Sequence, residues 1–109
     1  KNIAGLAHSA GYIFVSYNEG TSNHVLIYPV LDNGLYGDLA EQYQVDVADA
    51  QGMAVRHRYD GSWDVYLCSD SQKAVFVYKF RFVTGFELHT HCADTPHKRS
   101  GTPGLRSGA

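Results

Sequence analysis

The sequence predicts an all-β fold, two four-stranded antiparallel sheets followed by a flexible C-terminal tail. Three observations predict it. Aromatic residues are abundant, with eight Tyr, five Phe and one Trp against only three Pro in 109 residues, and aromatic side chains suit pleated, half-buried surfaces. The chain writes one structural unit twice. Its most apolar stretches are short and continuous rather than alternating, which marks strands buried on both faces.

Taken in order, "IAGLAHS" (Ile3 to Ser9) is the first strand and Gly11 turns the chain. "YIFVSYNEG" follows, closed by Asn18-Glu19-Gly20, residues that accept positive φ or bond their own backbone in turns. "HVLIYPV" is the third strand. In it Val25, Leu26, Ile27 and Tyr28 are all apolar, so both of its faces require burial. In "LDNGLYGDLAEQYQVDV", Asn33-Gly34 marks a tight turn, and the alternation of "EQYQVDV" makes a fourth, more exposed strand.

The second copy then begins. "AQGMAVR" sets Gly52-Met53-Ala54 over Gly5-Leu6-Ala7, "DVYLCSDSQ" matches "YIFVSYNEG", and "AVFVYKF" matches "HVLIYPV". The offset runs 47, then 52, then 50 residues, because "RYDGSWD" lengthens one turn and "NEGTSN" another. Repeated units tolerate insertions best in turns. "GFELHTH" is left to serve as the second copy's outer strand. Residues 1–82 thus hold two repeats, about 1–48 and 49–82, and residues 83–109 begin as strand and end as a disordered tail rich in Gly, Ser, Pro and basic residues. Four antiparallel strands at this period is the grammar of a β-propeller blade. The rival architecture is a small β-sandwich whose core strands look alike by chance. Stacked blades would bury Leu6, Val25, Ile27, Met53, Val75 and Val77.

Composition narrows the function classes. Apolar residues make up 44% and charged ones 18%, and the formal charge is −2, so nothing electrostatic favours nucleic acid or an anionic membrane. No apolar run approaches the roughly 20 residues that span a bilayer. No charged-then-apolar leader follows Lys1, so no secretory signal is expected, and the absence of an initiator Met is expected to reflect processing or a fragment. Of the two cysteines, Cys68 lies in an apolar strand pattern and is expected as a buried free thiol, with no support for a bridge to Cys92. A reducing, cytoplasmic setting is the expectation.

With the repeats in register, the stretch from Ile3 to Phe80 resembles the lactonase-type seven-bladed propellers, the family of bacterial 6-phosphogluconolactonase and the carboxy-muconate cyclases. The resemblance is carried by "VLIYPVLDNGLYGDLAEQYQV" and "YLCSDSQKAVFVYKF", in which a strand ends in an aromatic-Pro or aromatic-Lys step. It implies a ring of seven blades whose central channel opens or forms a lactone of a sugar acid or related carboxylic acid, with no obligatory cofactor. Two positions depart from the family pattern. "VADAQGMAV" stands where the family has a Pro-His-x-His step, and Ser69 stands where it has Asp, with Asp70 one residue later.

Lactone opening needs a base to activate water and donors to hold the oxyanion. Asn18, Glu19, Ser69 and Asp70, in the turns after each copy's second strand, are the candidate catalytic residues. Their plainer role is as turn formers. Arg56, His57 and Arg58 are candidates to hold a substrate carboxylate or phosphate, or else Arg58 and Asp60 decorate a long exposed turn and Trp63 packs at a blade edge. His89 and His91, two apart on one strand face, are placed to chelate a metal with Cys92 or His97, although short His tracts are commonly only compositional. No metal site is assigned. The rival class is a non-catalytic propeller-like interaction module, inactive as an isolated chain, whose exposed blade faces favour self-association.

Overall fold

The computed structural model describes residues 2–93 of the chain; the expected tail beyond them, with His97, lies outside the described residues. The structure is all-β, with no helix among the described residues. Blade 1 is β1 (Asn2–Ser9), β2 (Tyr12–Glu19), β3 (Ser22–Pro29) and β4 (Glu41–Val45). Blade 2 is β5 (Ala50–His57), β6 (Trp63–Ser69), β7 (Ala74–Arg81) and β8 (Gly85–Ala93). Each sheet pairs its strands in sequence order, every pair antiparallel.

The pairing register reproduces the sequence repeat. In blade 1, Ser16 sits between Gly5 and Val25; in blade 2, Cys68 sits between Gly52 and Val75. The same irregularity falls at the same place in both, between Ile3 and Gly5 and between Ala50 and Gly52. The length differences are placed as the offsets require. Ala10 and Gly11 close β1–β2 with positive φ at both positions, as a tight hairpin demands. The equivalent connection in blade 2 runs through residues 58–62, with Gly61 at positive φ. The extra residues of "NEGTSN" lengthen the β2–β3 ladder, with Asn18 opposite Asn23 and Glu19 opposite Ser22, rather than the turn itself.

The core lies between the blades. Phe14, Val25 and Ile27 from blade 1 meet Trp63, Val65, Leu67, Tyr78 and Phe80 from blade 2, and all are buried. Trp63 is the aromatic hub, 5.7 Å from the Tyr12 ring, 6.0 Å from Phe14 and 5.5 Å from Phe80. Such ring pairs add to what their area alone contributes. Trp63 therefore belongs to the inter-blade core, not to a blade edge. Its place on the inward face of β6, directly opposite Phe80, fixes this.

Two further expectations are corrected by the same geometry. Leu6 is 59% exposed, and Cys68 is an exposed free thiol. Both lie on outer faces, which have no blade against them among the described residues. Val75 and Val77 are half-buried for the same reason. Val25 and Ile27 are fully buried as expected.

β1 runs beside β5, and one residue permits it. A Cβ built on Gly5 would stand 2.6 Å from the Met53 Cβ and 3.0 Å from its backbone nitrogen, closer than real side-chain atoms approach. Gly5 therefore sets the spacing of the blades. Gly5→Ala should force the two strands apart and destabilise the chain by about 1–3 kcal/mol, the usual cost of overpacking. Urea denaturation of both proteins measures it; an unchanged midpoint would mean the contact is not made.

Candidate functional site

The blades are joined by residues 46–49, and the polar side chains at that end converge on this crossover. Asn18, at the end of β2, presents its carboxamide to Ala50 as a neighbouring strand would. Its Nδ2 donates to the Ala50 carbonyl at 2.9 Å and its Oδ1 accepts the Ala50 N–H at 3.0 Å. Asn23 Nδ2 donates to the same Oδ1 at 3.1 Å, and Ser16 Oγ donates to Asn23 Oδ1 at 2.8 Å. Ser16, Asn23 and Ala50 are almost wholly buried, so each of these groups needs its partner.

Blade 2 holds the crossover from the other side. Ser69 Oγ donates to the Ala48 carbonyl at 2.6 Å and accepts the Gln72 N–H at 3.1 Å. Gln72 Oε1 accepts the Ala48 N–H at 3.1 Å, and the Asp70 N–H reaches the Asp49 carbonyl at 3.1 Å. Asp49 takes a positive φ here, which Asp tolerates better than most residues.

Asn18, Ser69 and Asp70 are thus brought together, but on a stretch of backbone. The Asp70 carboxylate is exposed, 3.4 Å from Lys73 Nζ. Glu19 is also exposed, its Oε1 3.0 Å from His24 Nε2. That imidazole stacks on Tyr17, with centroids 4.8 Å apart. Buried His24 Nδ1 and Trp63 Nε1 have no hydrogen-bond partner among the described residues.

Arg56, His57 and Arg58 lie elsewhere. β6 runs from Trp63, beside them, to Ser69 at the crossover, a separation of roughly 20 Å at about 3.3 Å per residue. The candidate catalytic and substrate-holding residues therefore stand at opposite ends of the blade and cannot grip one small molecule. Arg56 and Arg58 both bond Asp64 Oδ2, Arg56 at 3.3 Å, and Asp64 is buried to 4% exposure. The His57 ring lies 4.5 Å from Trp63. Together with Tyr59 and Asp60, these three residues line an open hollow of about 800 Å³. A shallower one, about 290 Å³, lies on the outer face of blade 2 beside Gln51, Cys68, Asp70, Lys73 and Val75.

His89 is exposed on β8. The side chains of His91 and Cys92 lie outside the described residues. No group of three His, Cys, Asp or Glu side chains placed to hold a metal occurs among the described residues. The described residues contain no helix, and so none long and apolar enough to cross a membrane.

The polar members that sequence reading missed are Ser16, Asn23 and Gln72. The visible signal was Ser16, a hydroxyl inside an apolar strand at the position where the other copy has Cys68. Comparison with known proteins returns no matching family model, no matching curated protein and no matching solved structure.

Four groups titrate away from their ordinary values: Arg58 is raised, first by its hydrogen bond to Asp64, and Tyr78 is raised by burial, while Tyr43 and Asp60 move furthest. Tyr43 is pushed up to about 12 by burial and by the Glu41 carboxylate that its hydroxyl bonds at 2.6 Å. Asp60 is held down at about 2, first by the Ser62 hydroxyl and N–H and then by Arg81 and Lys79. Because the folded value lies below the ordinary 3.8, this carboxylate stabilises the 58–62 turn above about pH 4 and the contribution disappears as pH falls through about 2. Amide shifts of Ser62 and Gly61 followed by NMR should show that midpoint near 2. A midpoint at the ordinary value would contradict the bonding described.

Proposed function

We propose that the chain is a non-catalytic, propeller-like interaction module, a pair of blades that works by presenting sheet faces to a partner. The observation that carries this reading is the commitment of Asn18 and Ser69 to the crossover backbone. Both are spent on part-buried hydrogen bonds to the chain's own backbone. Catalysis requires a base, an oxyanion donor and substrate-holding groups fixed together, and the candidates here stand at both ends of blade 2. Exposed apolar side chains, Leu6 on β1 and Leu31, Leu35, Tyr36 and Leu39 in the β3–β4 connection, support the reading. An exposed free thiol at Cys68 fits a reducing cytoplasm.

The enzymatic alternative is the lactonase chemistry implied by the sequence resemblance. It would place a sugar lactone or sugar acid in a channel completed by further blades, with Glu19 and Asp70 as the carboxylates still exposed to solvent. The purified chain should hydrolyse simple sugar lactones no faster than buffer. A clear excess rate, abolished by Asp70→Ala, would overturn the module reading in favour of the enzyme.

A further inference from the structure

The two blades present their faces in the same sense, and this decides what the outer faces fit. Phe14, Val25 and Ile27 are at the centre of the blade 1 face that meets blade 2. Under the repeat their counterparts are Tyr66, Val75 and Val77, which lie on the outer face of blade 2, because adjacent strand residues point to opposite sides and Val65 and Leu67 point inward. In the other direction, the inward residues Val65, Leu67 and Tyr78 correspond to Ile13, Val15 and Tyr28 on the outer face of blade 1. Each outer face thus repeats the centre of one half of the interface already formed inside the chain, while its rim differs: Gly11 and Val30 stand where Trp63 and Phe80 do, and Asp64 stands where Tyr12 does.

Glycine marks the same junction. Gly5 is required because β5 brings Met53 against it. Its counterpart Gly52 has no such neighbour, nothing lying within 4 Å of a Cβ built there, and its φ is not positive. No contact among the described residues calls for glycine at 52. The counterpart of Met53 is Leu6, which is 59% exposed at the start of blade 1.

We propose that a second copy of this chain docks head to tail, the outer face of its blade 1 stacking on the outer face of blade 2, with Leu6 seated over Gly52 as Met53 is seated over Gly5. The contact is heterologous, so successive copies can close a ring, and propeller rings typically hold about four to eight blades. Cys68, at the position of fully buried Ser16, lies inside the new interface. One element is weaker than in the internal junction. Asp70 stands in the position of Asn18, and a carboxylate can accept an N–H but has no donor for the facing carbonyl. Ile3 is the counterpart of Ala50 that this group would meet.

The inference rests on the module reading, and its test is separate from the lactone assay. Sedimentation of the purified chain should give a discrete multiple of 12.0 kDa, with Cys68 protected from alkylation when its peptide is read by mass spectrometry. Gly52→Ala should leave the strand circular dichroism and the thermal midpoint of the chain intact, since its methyl meets nothing within the chain, yet abolish the assembly and expose Cys68. Asp70→Asn should tighten assembly by about tenfold, the worth of one added hydrogen bond. A monodisperse monomer at high concentration overturns the inference. So does an assembly that survives Gly52→Ala with Cys68 still reactive, which would leave an interaction module with a different surface.

Discussion

The carboxamide of Asn18 on the backbone of Ala50 is the contact on which the two-blade arrangement depends. A sheet satisfies its own inner backbone, but residues 46–49 between the sheets have no ladder to join and Ala50 opens the edge strand β5, and an unpaired buried N–H or carbonyl costs about 1–3 kcal/mol. Here blade 1 supplies Asn18, held by Asn23 and Ser16 behind it, while blade 2 supplies Ser69, Gln72 and the Asp70 N–H. The crossover is thereby fixed to both blades at one end. The close approach of β1 and β5 at Gly5 then aligns Phe14, Val25 and Ile27 with Trp63, Val65 and Phe80. Hydrophobic burial supplies most of the driving force, but it is non-directional; the polar clamp and the glycine choose which face meets which.

This explains why the fold was legible and part of the packing was not. The repeat offsets, read from the letters alone, agree with the strand registers, because turn insertions and apolar runs are local features. Exposure of Leu6 and Cys68 was not legible. Their strands are apolar on both sides, so the pattern asks for burial on both, and only the number of neighbouring blades decides which face receives it. Trp63 falls at the end of "RYDGSWD", which looks like one long turn, whereas residues 58–62 carry the turn and Trp63 begins the strand inward.

The candidate site shows a different limit. Sequence selected Asn18, Ser69 and Asp70 as polar residues sharing one end of the strands, and they do share it. Pattern alone does not distinguish a side chain that bonds a substrate from one that bonds the protein's own backbone, since both demand short polar groups at a strand end. Arg56, His57 and Arg58 drew attention by charge, yet the buried Asp64 that organises the two arginines lies across the ladder from Arg56 rather than beside it in sequence. Counting turns along each copy would have set these residues at the opposite end from Asn18, which was the missing step.

Amide hydrogen exchange at Ala50 tests the clamp most directly. With its N–H bonded to Asn18 Oδ1 and its residue 1% exposed, Ala50 should exchange as slowly as the core amides of β6, and Asn18→Ala should lower that protection to the level of an open turn while costing about 1–3 kcal/mol of stability. Fast exchange at Ala50 in the unmodified chain, or full protection retained in Asn18→Ala, would contradict the account.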